Sequence, residues 1–168
     1  MDFGAEYANY AADCTRTIPV NGKFTPRQKE CYEAVLRVMK KAISWLTPGT
    51  TINRVNERVE KLLQEEHIKL GLYTQEDVEK QDEKNPLVKK YYPHGTCHFI
   101  GLDVHDVGER TNVLEDGMVL TCEPGIYIRE ENIGIRIEND VIVNLKPIYL
   151  MEHIPREVDE IEKLMASK

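Results

Sequence analysis

Four acids stand in strand-like, apolar surroundings. Glu123 lies in Val119-Leu120-Thr121-Cys122-Glu123-Pro124, and Glu138 sits between Ile137 and a Val-Ile-Val run. Asp2 and Asp13 flank a short aromatic-rich stretch that reads as a hairpin. A buried ionised carboxylate is costly unless it is paired or bound to a metal. Four such acids facing one space cannot all stay ionised without a cation. Residues opposed across an antiparallel pair point to the same side. Asp2 and Asp13, eleven apart, would face each other across a turn at Tyr7-Ala8. Glu123 and Glu138, fifteen apart, would do so across a turn at Glu130-Glu131. The alternative is two unrelated pairs of surface acids.

Histidines add a nitrogen donor. His94, His98 and His105 fall within twelve positions broken by Gly95 and Gly101. With His98 as the fifth ligand, the set is one imidazole and four carboxylates. It leans toward hard cations and suits two Mn²⁺, Co²⁺ or Zn²⁺ ions better than a soft Cys₄ zinc site. Two carboxylate-bridged metals are a hydrolase arrangement, supplying hydroxide at neutral pH and polarising a scissile carbonyl. Cys14, Cys97 and Cys122 each adjoin a proposed ligand. Adjacent strand residues point to opposite faces, so these thiols face packing, and no disulfide is expected.

The surrounding elements must position this set. Thr25-Pro26-Arg27-Gln28 reads as a capped helix start, and Tyr32, Val35, Leu36, Met39, Ile43 and Leu46 follow as an apolar stripe. Pro48-Gly49 ends that helix. A second begins after Thr50 or Thr51, buries Val55, Val59, Leu62 and Leu63, and closes at Gly71. Residues 74–92 read as a polar surface helix or insertion without function. Residues 118–143 read as strands, with Ile135, Ile137, Val141 and Val143 alternating against Arg136, Glu138 and Asp140. Pro155 is expected to open a last helix whose apolar side is Val158, Ile161, Leu164 and Met165.

Composition narrows the function classes. The 168 residues suffice for one domain, and 41% hydrophobic against 30% charged is ordinary for a globular chain. A net charge of -7 repels phosphate backbones, which argues against nucleic acid. No window approaches the roughly 20 apolar residues of a membrane span. The opening residues carry no basic n-region of a signal peptide, so a cytoplasmic protein is expected.

At this point the motifs resemble a known family. The segments are Asp2 to Tyr7, Asp13 to Thr17 with Asn21 to Thr25, His94 to Gly108, and Leu114 to Gly125 with Gly134 to Asp140. Their order and spacing are similar to proline-specific pita-bread metallopeptidases, the Xaa-Pro aminopeptidases and Xaa-Pro dipeptidases. The resemblance implies an α+β pita-bread fold, a curved antiparallel sheet covered by helices and incomplete at its N-terminal side. Residues 1–168 would be the C-terminal portion of one catalytic domain, with further elements and a substrate-site histidine preceding Asp2. On that reading the strand carrying Asp2 becomes a sheet edge, and part of the Tyr32–Leu46 stripe faces water.

Carried over position by position, the metal ligands are Asp2, Asp13, His98, Glu123 and Glu138. By resemblance Asp13 and Glu138 bridge two divalent ions, most readily Mn²⁺, with Co²⁺ or Zn²⁺ as alternatives. Asp2 completes one ion, and His98 and Glu123 the other. Glu123 is also the proton shuttle. His105 would meet the substrate carbonyl, His94 would line the pocket, and Tyr127 and Arg136 would orient ligands. The implied reaction is removal of an N-terminal residue preceding proline through a metal-bridging hydroxide. The implied partners are proline-containing peptides and other copies of the chain, as a dimer or larger homo-oligomer. The alternatives are a dipeptidase (prolidase), an inactive fragment and a metal-free binding module. The stretch Ile154 to Glu162 favours the bacterial aminopeptidases.

Overall fold

The computed structural model describes residues 1–167. Near the N-terminus, β1 (Asp2–Phe3), β2 (Glu6–Tyr7), β3 (Tyr10–Ala11) and β4 (Cys14–Thr15) form one long, interrupted hairpin. Asp2 pairs with Thr15, Phe3 with Cys14, Glu6 with Ala11 and Tyr7 with Tyr10. The two-residue turn is Ala8-Asn9, with φ of 52° and 68°. A tight hairpin turn of this primed kind requires positive φ at both central residues, and Asn tolerates it. It therefore sits one residue beyond the expected Tyr7-Ala8. The register shifts with it, so Asp2 faces Thr15, and Asp13 is its diagonal neighbour on the same face.

α1 (Pro26–Ile43) opens as expected. Thr25 accepts from the Gln28 amide while the Gln28 side chain accepts from the Thr25 amide. The helix ends at Ile43, earlier than Pro48-Gly49, and Leu46 is buried from the turn that follows. α2 (Ile52–Lys69) is capped by Thr51 and stops before Gly71, whose φ of 72° suits glycine. Short helices α3 (Gln75–Glu79) and α4 (Val88–Tyr91) follow. This polar stretch is not purely a surface insertion, since Val88, Tyr91 and Tyr92 are buried.

The second ribbon runs through β5 (Val119–Cys122), β6 (Gly125–Ile128), β7 (Ile133–Arg136) and β8 (Asn139–Ile142), with β9 (Ile148–Tyr149) beside β8. β5 pairs with β8 and β6 with β7 in one continuous register, from Val119 opposite Ile142 to Ile128 opposite Ile133. The turn is a short 3₁₀ segment, Arg129–Glu131, closed by Asn132 at a φ of 51°. Ile135, Ile137, Val141 and Val143 are buried, as their alternation predicts. The other face is not solvent: Glu138 and Asp140 are buried too. A bond from the Glu138 amide to the Thr15 carbonyl, 3.1 Å, ties the ribbon to the N-terminal hairpin.

α1 lies across β5, β6 and β7 and packs on α2 and on α5 (Val158–Ala166). Its stripe, Tyr32 through Leu46, is fully covered, contrary to the expectation of partial exposure. The apolar residues left in water are elsewhere, among them Phe3, Tyr7, Tyr10, Leu102 and Val107. α5 begins at Val158 rather than Pro155, because Glu157 supplies the cap through a capping box with Glu160. Leu164 stays exposed, so the buried side of α5 is narrower than its sequence suggests. Among the described residues no helix is long and apolar enough to cross a membrane.

Candidate metal centre

The site forms where the hairpin meets the second ribbon. Both ribbon strands are interrupted at one level, Glu123-Pro124 on one side and Ile137-Glu138 on the other. The flanking pairs, Cys122 with Asn139 and Gly125 with Arg136, put Glu123 opposite Glu138. The hairpin brings Asp13 to this junction, and the segment beside β5 brings His98. Asp13, His98 and Glu138 each offer a ligand atom within 4.8 Å of the others. His98 Nε2 lies 3.6 Å from Asp13 Oδ2 and 3.8 Å from Glu123 Oε1. His98 Nδ1 is 2.9 Å from the Phe99 carbonyl oxygen. Donating there leaves the Nε2 lone pair turned to the acids, the tautomer a metal ligand requires.

Asp2 stands at the outer side of the cluster, more exposed than the rest. Arg136 Nη2 donates to its Oδ2 at 2.5 Å, and Arg136 Nε donates to Thr15 Oγ1 at 3.0 Å. The Thr15 hydroxyl donates to Glu138 Oε2 at 2.6 Å and lies 3.3 Å from Asp2 Oδ1. Thr15 is therefore the hub joining Asp2, Glu138 and Arg136. Asp140 Oδ2 accepts from the Asp13 amide at 3.1 Å. Arg16, itself buried, donates to the Glu138 carbonyl and to Asn139 Oδ1. Sequence reasoning assigned no role to Thr15, Arg16 or Asp140. Thr15 was findable, since it shares a strand face with Asp13 two residues away.

The charges show what the cluster lacks. Burial and the facing Glu138 charge push Glu123 up to about 8. Burial and the Asp13 charge push Glu138 to about 7, against the pull of the Thr15 hydroxyl. Asp13 is raised by burial and by Asp2. Burial opposes ionisation of Asp2, but the Arg136 bond and charge outweigh it and hold that carboxyl below its ordinary value. Burial lowers His98, keeping its imidazole neutral. Four carboxylates and one imidazole are crowded around a single guanidinium, Arg136, and the set fits divalent cations on its own chemistry.

Around them is a cavity of about 500 Å³ lined by His94, Cys97, His98, His105, Glu123 and Arg136, among others. His105 packs edge-on against His98, ring centroids 4.4 Å apart, rather than joining the carboxylates. His94 Nε2 is 2.7 Å from the Tyr127 hydroxyl. His94 and Tyr127 thus form one hydrogen-bonded pair beside the cluster, and Arg136 and Asp2 another. Gly125 lies under the Tyr127 hydroxyl, where a Cβ would approach that oxygen to 2.8 Å. Cys14, Cys97 and Cys122 are buried free thiols, as expected.

The geometry has close counterparts. Residues 1–144 match the metallopeptidase family M24. The chain is 41% identical over 178 residues to a Xaa-Pro aminopeptidase of Haemophilus influenzae, covering 98% of this chain and 41% of that protein. It is 35% identical over 208 residues to a Xaa-Pro dipeptidase of Rattus norvegicus, covering 99% of this chain and 42% of that one. It superposes on zinc-substituted Escherichia coli aminopeptidase P in complex with product with a TM-score of 0.87 and 38% identity, over 98% of this chain and 40% of that one. The chain thus spans about two fifths of the length of these relatives, and over that span it has the pita-bread fold of aminopeptidase P. With the family match covering most of its residues, this chain belongs to metallopeptidase family M24.

Proposed function

We propose that this chain carries the metal-binding part of a Xaa-Pro aminopeptidase, acting on peptides whose second residue is proline. The observation that carries the reading is the facing pair Glu123 and Glu138, with Asp13 and His98 closing on the same point. Asp13 and Glu138 would each serve both of two divalent ions, Asp2 one of them, and His98 and Glu123 the other. Bound ions supply Lewis acidity and bring a water nucleophile into range at neutral pH. Mn²⁺ is the proposed metal, since carboxylate-rich sets suit it.

The residues divide the remaining work. Glu123, in its ionised form, accepts a proton from the attacking water and returns it to the departing amine. His105, on the cavity wall beside His98, donates toward the substrate carbonyl oxygen. Arg136 orients Asp2, and Tyr127 holds His94 at the cavity wall. The reading is tested by hydrolysis of Xaa-Pro-Yaa tripeptides, abolished by chelation and restored by Mn²⁺ or Co²⁺. Turnover that survives exhaustive metal removal would refute it. The similarity to a Xaa-Pro dipeptidase supports a second reading, which preferential cleavage of Xaa-Pro dipeptides would favour.

A further inference from the structure

We propose that Cys97 and Cys122 form a reversible disulfide site that couples the candidate metal centre to oxidants. The argument rests on register. Phe99 is bridged to Leu120 in antiparallel sense, so two residues further along Cys97 stands opposite Cys122. The Thr121 amide donates to the His98 carbonyl at 3.0 Å, and the Glu123 amide to the Thr96 carbonyl at 2.8 Å. Cys97 and Cys122 lie between these bonds, a non-hydrogen-bonded pair. Such pairs hold Cα atoms about 4.5 Å apart. That falls inside the span of about 4.4–6.8 Å that a disulfide bridges. Both thiols are buried and free. No strand has to slide to join them.

Cys97 is on the wall of the 500 Å³ cavity with its thiol almost fully buried, and Cys122 is fully enclosed behind it. Hydrogen peroxide is small enough to enter such a space. The Cys97 sulfur attacks one peroxide oxygen, the O–O bond breaks, and a sulfenic acid and one water form. The Cys122 sulfur then attacks the sulfenic sulfur. The S–S bond forms, the S–O bond breaks, and a second water leaves with the thiol proton. Together the two thiols lose two electrons and two hydrogens, and the peroxide takes them up. A dithiol reductant reverses the reaction by exchange.

The consequence falls on the neighbours. His98 follows Cys97 and Glu123 follows Cys122, each on the opposite face of its strand. A bond behind this pair draws their strands together and re-aims both candidate ligands. Cys14 and Cys31 sit on β4 and α1, outside this pairing.

The test treats the purified chain with hydrogen peroxide, quenches it, and maps thiols by alkylation and mass spectrometry. The expected product is lighter by about 2 Da, contains a peptide joining Cys97 to Cys122, and reverts with dithiothreitol. Cys97→Ala and Cys122→Val should each remove the cross-link, and either folded variant suffices for the comparison. Cobalt binding, read from its visible absorption, should weaken about tenfold in the cross-linked protein only. Oxidation of Cys97 to a sulfinic acid without a cross-link, or bridging through Cys14 or Cys31, would overturn the site. Unchanged cobalt affinity in the cross-linked protein would overturn the coupling.

Discussion

Glu123 and Glu138 stand opposite each other at the level where the β5–β8 pairing hands over to β6–β7. Burial raises both, with the Glu138 charge adding at Glu123 and the Asp13 charge at Glu138, to about 8 and about 7. Without cations the fold therefore holds them partly protonated at neutral pH. A divalent ion reverses that preference, so binding must expel protons. At pH 6.5, saturating Mn²⁺ should release roughly one to two protons. Calorimetry in buffers of different ionisation enthalpy measures the number. Release should shrink as the pH is raised toward 9. Binding with no proton release at pH 6.5 would mean that the two carboxylates do not take up the ion.

Asp13 and His105 both border His98, but they differ in kind. Asp13 contributes to the cluster within 4.8 Å, whereas His105 only packs on the His98 ring. Asp13→Ala or Glu138→Ala should abolish binding of at least one ion. His105→Ala should retain metal and lose turnover by roughly 100-fold or more, the scale of a lost proton-donating group. Metal content after dialysis, set beside peptide hydrolysis, distinguishes the two. If His105→Ala emptied the site while His98→Ala left it filled, the roles would be reversed.

Where a local rule acts alone, the sequence was legible. The capping box at Thr25 and Gln28 is one case, and the Glu123–Glu138 register, set by a turn of fixed centre, is another. The N-terminal hairpin was misjudged by one turn position, because the deciding feature is positive φ at Ala8 and Asn9. Composition does not announce that at Ala8, where a left-handed conformation is unusual. Facing carboxylates suggested a direct Asp2–Asp13 pair, but the register sets Asp2 opposite Thr15, whose hydroxyl bonds Glu138. The roles of Thr15, Arg16 and Asp140 depend on contacts more than a hundred residues apart, which no window reading reaches. The full covering of the α1 stripe likewise depends on tertiary packing against α2, α5 and the ribbon.

Gly4 shows how closely the hairpin strands approach between Asp2 and Asp13. A Cβ there would lie 1.6 Å from the Ala12 carbonyl oxygen, a backbone atom that cannot swing aside. Gly4→Ala should force the strands apart and separate the two acids. The expected cost is on the order of 2–3 kcal/mol in denaturant unfolding, with weakened metal binding. Gly134→Ala is the control, since its Cβ would make only an ordinary 3.5 Å contact with the Tyr127 ring. Equal effects of the two substitutions would contradict the close approach.

His67 supplies the last prediction, away from the metal centre. It is fully buried, with Nδ1 3.1 Å from the Tyr73 hydroxyl and edge-on ring contacts to Tyr73 and Tyr91. Its Nε2 has no partner among the described residues. Glu66 is the acid whose charge acts on it, but its carboxylate is engaged by Arg37 and Lys69. Burial therefore prevails over the Glu66 charge and pushes His67 down to about 4 from an ordinary 6.5. Above pH 6.5 neither folded nor unfolded chain binds a proton at this ring, and its contribution is fully present. As the pH falls toward 4 the unfolded chain takes up a proton that the folded chain refuses, and stability drops. Between pH 7 and pH 4.5 the loss should be about 2.5 kcal/mol. Carboxylates titrate in the same range, so the quantity to measure is the gap in unfolding free energy between the wild type and His67→Phe. That gap should move by this amount in favour of His67→Phe as the solution is acidified. A gap constant across pH 7 to 4.5 would show that His67 is protonated as readily in the fold as outside it.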